Sequence, residues 1–313
     1  MSAAASPSQT QDGVLPRTGF VLLALLTLFW GVNWPFMKWG LNEVRPWSMR
    51  SLCIVIGMIG LFTCGRLAGQ RLDVPRQDRL PLALAALFNI TGWNLCSAYG
   101  LTLMASGRAA IIAFTMPLWA SLFAIPLLGE RMTRAKLLGL MFGGAGLLLL
   151  VIGEFRALER APLGALLMFG AAMSWALGSV TVKRHRWTTQ VFALTAWQMV
   201  IGGAPILLGW AVVEGFDVMQ PGVTALSWRG VAGTLYAATI PMIFCHWGWT
   251  RLLQVFPASV AAIGTLLIPV VGVFSAALLI GESIGTTELV SLGLIIAALT
   301  VTLRPRRPRH SAG

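Results

Sequence analysis

Charge is what this chain has least of. Only 11% of its 313 residues are Asp, Glu, Lys or Arg, and the acids are the rarer part, 11 against 23 basic residues. With 57% hydrophobic residues and a mean hydropathy of +0.77, the chain falls outside the range of soluble globular proteins. Histidine and cysteine are scarce too, at 3 and 4. Cys53, Cys64, Cys96 and Cys245 all sit in apolar runs without ligand spacing. They read as buried reduced thiols, and nothing calls for a metal or a cofactor. The net charge of +12 does not mark a nucleic-acid binder, because Lys and Arg punctuate the apolar runs instead of gathering on one face.

Long apolar runs are what the chain does have. About 20 apolar residues span a bilayer core as a helix, and the sequence divides into ten such stretches. They run Thr18 to Leu41, Pro46 to Arg66, Leu80 to Leu103, Ser106 to Gly129, Thr133 to Gly153, Pro162 to Val182, Val191 to Val213, Trp228 to Arg251, Ala258 to Gly281, and Ile284 to Leu303. The chain is therefore expected to be an all-α integral membrane protein embedded in the lipid bilayer. The first 17 residues are polar, and the apolar stretch after them is too long for a signal-peptide core and lacks a cleavage site. It is expected to remain as the first helix. Sixteen basic residues fall in alternate breaks and both tails, against seven in the other breaks, so both termini are expected in the cytoplasm.

The two halves match each other. Trp30 and Lys38 recur as Trp175 and Lys183 at an offset of 145; Ala109, Ala110, Pro117, Gly129 and Glu130 recur as Ala261, Ala262, Pro269, Gly281 and Glu282 at an offset of 152. Two five-helix repeats account for both offsets: residues 18–153 and 162–303, joined by a linker over 154–161, with cytoplasmic tails 1–17 and 304–313. Five is odd, so the second repeat enters the membrane upside down, the inverted arrangement of many secondary transporters.

Leu127-Leu128-Gly129-Glu130 and its copy Leu279-Ile280-Gly281-Glu282, with Phe29-Trp30-Gly31-Val32-Asn33-Trp34 at the start, make the chain similar to the EamA-type branch of the drug/metabolite transporter superfamily. The resemblance runs from Phe20 to Leu303. It implies export of amino acids or related metabolites across a bacterial inner membrane by alternating access around a central cavity, with drugs or sugar derivatives as other solute classes. Relatives that expel cationic drugs carry a Glu in the first helix; here that helix offers Trp30, Asn33 and Trp34. The second half has Ser174-Trp175-Ala176-Leu177-Gly178-Ser179, so Asn33 and Trp34 lack counterparts.

Every charged residue inside a span, Arg50 included, lies within about a turn of a helix end, so the middle of the membrane reads as uncharged. A neutral, aromatic and polar core suits a zwitterion or neutral solute. Trp30, Asn33, Trp34 and Met37 share one helix face, Asn89 and Trp93 another, and Tyr236, Thr239 and His246 a third; Trp175 is the repeat mate of Trp30. Each of these is a candidate for substrate contact, with helix-to-helix hydrogen bonding or packing as the alternative. Pro117 and Pro269 remove helical hydrogen bonds at equivalent depths and are candidate hinges, or fixed kinks. His246 is a candidate proton site. Lys38 and Lys183 stand at opposite faces as gates or anchors. The Gly139–Gly143 pair allows a close helix contact, inside one bundle or across a homodimer. An intramembrane enzyme is the rival reading, but no Asp lies within a span and no nucleophile stands at a recognisable spacing from a base.

Overall fold

The computed structural model describes residues 17–130, 132–153, 162–215, 217–255 and 265–303. The linker, the tails and the Ala261–Ala262 match lie outside them. Among the described residues, five helices are long and apolar enough to cross a membrane: Gly19–Glu43, Pro46–Leu67, Arg76–Thr102, Leu163–Arg184 and Val191–Glu214. We label the helices α1 (Arg17–Glu43), α2 (Pro46–Leu67), α3 (Arg76–Thr102), α4 (Ser106–Ala113), α5 (Met116–Leu128), α6 (Arg134–Gly153), α7 (Pro162–Arg184), α8 (Val191–Glu214), α9 (228–255), α10 (Ile268–Ile280) and α11 (Thr286–Leu303).

The stretch from Ser106 to Gly129, expected as one helix, is two. It breaks at Phe114–Thr115, just ahead of Pro117, where the Thr115 hydroxyl donates to the Ile112 carbonyl at 2.8 Å and takes a hydrogen bond from Trp119 Nε1 at 3.1 Å. In the second half a tight turn at Thr265–Leu267 stands in the same place ahead of Pro269. Both pieces end on a glycine in the left-handed region, Gly129 at φ 66° and Gly281 at φ 76°, the conformation that closes a helix C-terminus and that a side chain resists.

Packing obeys the repeat. α1 packs on α9 and α10, and its mate α7 packs on α3 and α5; α2 pairs with α8, and α6 with α11. Each contact maps onto another, or onto itself, when the halves are exchanged. α2 and α8 run antiparallel: the Glu214 carboxylate at the end of α8 accepts from Ser48 N at 2.8 Å near the start of α2, while Gln70 Oε1 beyond the other end of α2 accepts from Phe192 N at 3.3 Å near the start of α8. A helix lying antiparallel to its own repeat mate is what an inverted repeat requires.

Membrane helices have no water to drive them together, so small residues let their backbones touch. Ala85, Ala86, Ala171, Ala172, Ala176 and Ala238 are fully buried between helices. Large side chains such as Ile59, Leu208, Val212 and Leu278 stand exposed on the outer faces, where lipid covers them. On the GxxxG face, a Cβ on Gly143 would meet only Leu118 and Ala298 side chains at 3.8 and 3.9 Å, an ordinary contact. The close approaches lie elsewhere, at Gly178, Gly202 and Gly233.

Candidate functional site

Trp30 and Trp175, repeat mates on α1 and α7, touch edge to face with centroids 5.7 Å apart. Residues exchanged by a two-fold axis can meet only on that axis, so this contact marks the centre of the molecule. Around it gather Trp93, 5.2 Å from Trp175; Trp249, 6.0 Å from Trp30; and His246, 5.6 Å from Trp175.

Two π-helical turns shape this centre. One, Leu87–Gly92, precedes Trp93 and Asn94 on α3; the other, Pro241–Cys245, precedes His246 on α9. They occupy equivalent repeat positions. Such a turn adds a residue to the helix and re-aims the side chains beyond it. In α9, Pro241 has no N–H to give, and its carbonyl accepts from the His246 backbone N–H and from His246 Nδ1 at 2.7 Å.

A cavity of about 40 Å³ opens beside the tryptophans, lined by Trp30, Asn33, Trp34, Met37, Arg50, Trp93, Asn94, Phe114, Met116, Trp175, Ala237, Pro241, Met242 and His246. That is room for a few waters and too little for a metabolite. Seven of the residues singled out in the sequence come together here: Trp30, Asn33, Trp34, Met37, Trp93, Trp175 and His246.

Three do not line it. Asn89 is buried between α3 and α8, where its Nδ2 donates to Gln198 Oε1 at 3.2 Å. Tyr236 donates to the Phe29 carbonyl at 2.9 Å and stacks on Phe36 at 4.5 Å. The Thr239 hydroxyl donates to the Leu235 carbonyl one turn back, at 2.7 Å. The period of a helix places residues on a face without saying whether the face meets a cavity or another helix.

Arg50 corrects the expectation of an uncharged interior. It is 4% exposed and lines the cavity, with Nε donating to the Asn94 carbonyl at 3.1 Å and Nη2 to Ser97 Oγ at 3.0 Å. The signal was in the sequence: Arg50, Cys53, Ile54, Gly57 and Leu61 are the buried stripe of α2, spaced i, i+3, i+4, i+7 and i+11. Trp249 was equally legible, one turn beyond His246.

The two repeat lysines hold equivalent carbonyls. Lys38 Nζ donates to Leu101 O at 2.7 Å and to Met104 O at 3.0 Å, and Lys183 Nζ donates to Leu253 O at 2.9 Å; 101 and 253 differ by the repeat offset of 152. At the Lys38 end, Glu282 from the second half caps α4 in the first, accepting from Ser106 Oγ at 2.8 Å, Ser106 N at 3.2 Å and Gly107 N at 3.1 Å. Glu282→Ala leaves two helix-start N–H groups bare and should cost about 1–2 kcal/mol. Thermal unfolding in detergent reads it, with Glu282→Gln recovering part of the loss; an unchanged unfolding temperature would show that the cap carries no weight.

The comparisons with known proteins agree with this architecture. A solved crystal structure matches with a TM-score of 0.71 at 20% identity, covering 91% of this chain and 96% of the other, which establishes the fold. A Salmonella typhimurium protein described as a probable amino-acid metabolite efflux pump is 28% identical over 95% of this chain and 98% of its own length. Its Escherichia coli namesake is 25% identical over 92% and 96%. An uncharacterized transporter of Bacillus subtilis, YvbV, is 29% identical over 95% and 96%. The model of the EamA-like transporter family matches twice, at residues 17–152 and 162–304. A membrane-embedded carrier of small molecules built on two such units, this chain belongs to the EamA-like transporter family.

Proposed function

We propose that the protein exports amino acids or related small zwitterionic metabolites by alternating access, and that it is no enzyme. The observation that carries this reading is the central cavity: it lies where repeat-mate tryptophans meet, and its lining includes Asn33 and His246, whose buried Oδ1 and Nε2 have no hydrogen-bond partner. Buried polar atoms left bare are costly, and a solute that comes and goes explains them. The descriptions of the Salmonella and Escherichia coli relatives favour amino-acid metabolites.

In this reading the repeats are residues 18–153 and 162–303, both termini face the cytoplasm of a bacterial cell, and the protein works in the inner membrane as a monomer or homodimer. The breaks ahead of Pro117 and Pro269 are the hinges. His246 is the group that would link transport to protons, since it lines the cavity and its Nε2 has no partner. Asn89, Tyr236 and Thr239 shape the walls behind the cavity.

Efflux of labelled metabolites from reconstituted vesicles, with and without a pH gradient, tests this. Trp30→Ala, Asn33→Ala and Trp93→Ala should each lower the efflux rate about tenfold or more at normal protein yield. Wild-type rates in all three would remove the cavity from the transport path.

A further inference from the structure

We infer that Arg50 is the receptor for a carboxylate, so that the transported solute carries an anionic head group which pairs with this guanidinium in the central cavity. The inference rests on the cavity being the transport site proposed above. It deepens that reading by naming which end of the solute the protein recognises, and with what.

The charge of Arg50 is unmatched. No carboxylate pairs with it among the described residues, whereas Arg45 there pairs with Asp217 at 2.8 Å. Its partners are neutral: the Asn94 carbonyl, Ser97 Oγ and, at 2.9 Å from Nη2, Met37 Sδ. They use Nε and Nη2 and leave Nη1 undirected. The group also lies deep. Lys38 meets α3 at Leu101 and Met104, whereas Arg50 meets it at Asn94 and Ser97, roughly 10 Å further along the helix axis.

A lone cation at that depth is unfavourable unless something of opposite charge joins it, and inside a membrane such a residue marks a ligand path. Bracing α2 against α3 does not account for it, because a neutral amide can donate the same two hydrogen bonds. The repeat mate of Arg50 is Thr195, which donates to the Val191 carbonyl of its own helix at 2.8 Å. The charge therefore serves the cavity and is no requirement of the repeat.

The rest of the lining completes the pattern. His246 is 7% exposed; Nδ1 gives its hydrogen to the Pro241 carbonyl, so in the neutral ring Nε2 is a lone-pair acceptor, and it has no partner. Asn33 Oδ1 is a second bare acceptor. One cation and two acceptors around a single cavity complement a carboxylate beside an ammonium, and the tryptophan faces favour the ammonium too. Arg guanidinium suits a carboxylate in particular, through paired planar hydrogen bonds. At the opposite end from Lys38, a crevice of about 500 Å³ includes Lys183 and Arg251 in its walls, and two basic residues there favour the approach of an anionic group.

Full-length protein is reconstituted into liposomes loaded with an equimolar mixture of the common L-amino acids and their carboxamides, which match them in size and lack the anion. Efflux is read by mass spectrometry. Every exported solute should carry a free carboxylate, each carboxamide should leave about tenfold or more slowly than its acid, and Arg50→Gln should slow the acids by a similar factor while Arg50→Lys keeps part of the rate. Carboxamides leaving as fast as acids, or wild-type efflux in Arg50→Gln, would overturn the inference and leave the transport reading standing. No efflux above protein-free liposomes for any solute would overturn both. The acid-against-amide comparison uses the unaltered chain, so it decides the matter even where Arg50→Gln does not insert.

Discussion

Gly233→Leu should yield no monodisperse protein. On α9, Gly233 faces the backbone of α1: a Cβ there would stand 2.7 Å from Gly40 N and 3.0 Å from Trp39 Cβ, and would collide with the Phe36 carbonyl. A flexible side chain can turn aside, but a helix backbone cannot, so the two helices must separate. Overpacking commonly costs 1–3 kcal/mol where side chains yield, and about 3 kcal/mol or more is expected here. The α1–α9 contact has its mate in α3–α7, where a Cβ on Gly178 would lie 2.9 Å from Asn89 N. Gly178→Leu should fail in the same way. Gly144→Leu and Gly293→Leu, where nothing stands within 4 Å, are the controls, expected to purify like the wild type. Size-exclusion profiles of the four variants in detergent decide it: a normal profile for Gly233→Leu would mean that α1 and α9 do not pack as described.

Those glycines show where sequence pattern stops being informative. GxxxG is a face on one helix, and spacing alone points to Gly139 and Gly143, yet a Cβ at Gly143 has ordinary room. Whether a glycine is needed depends on what the opposite helix presents, which only the assembled bundle decides. The repeat was legible for the opposite reason. Trp30 and Trp175, Pro117 and Pro269, and Gly129 and Gly281 answer to local backbone demands or to the axis itself, so they recur at fixed offsets in the chain and in space.

The site was legible to the extent that helical phase is carried through. Trp30, Asn33, Trp34 and Trp93 stand out as faces, and the faces meet the cavity. Arg50 is misjudged when distance from a helix end is given more weight than phase: Pro46 begins α2 one turn earlier, but a long side chain can reach inward as readily as outward. Tyr236 and Thr239 have the right period on a face that turns toward α1 or back on its own helix. The π turns leave no mark that periodicity detects, since an inserted residue shifts the phase of everything after it.

Asp78→Ala should cost about 3 kcal/mol or more, the larger effect among the polar residues. In the first turn of α3, ahead of the apolar stretch that starts at Leu80, its carboxylate is fully buried. It accepts from His185 Nε2 at 2.8 Å, Thr188 N at 3.1 Å, Thr188 Oγ1 at 2.9 Å, Thr189 N at 2.9 Å and Thr189 Oγ1 at 2.6 Å. One side chain thus holds the α7–α8 connection of the second half to the first. Removing it strands two backbone N–H groups and an imidazole, and each of them that water does not reach costs about 1–3 kcal/mol. Burial on its own would raise the Asp78 pKa, but the hydrogen bonds from Thr189, His185 and Thr188 outweigh it and hold the carboxyl well below the usual carboxylate range. A carboxyl whose folded pKa is depressed stabilises the fold above its unfolded value, about 3.9, and loses that contribution as the pH falls from there toward the folded value. The gap in unfolding temperature between wild type and Asp78→Asn should therefore be widest near neutral pH and narrow steadily once the pH drops below about 4. A gap that stays constant across that range would show that Asp78 acts through shape alone, and an alanine variant as stable as the wild type would show that the α7–α8 connection is held by other contacts.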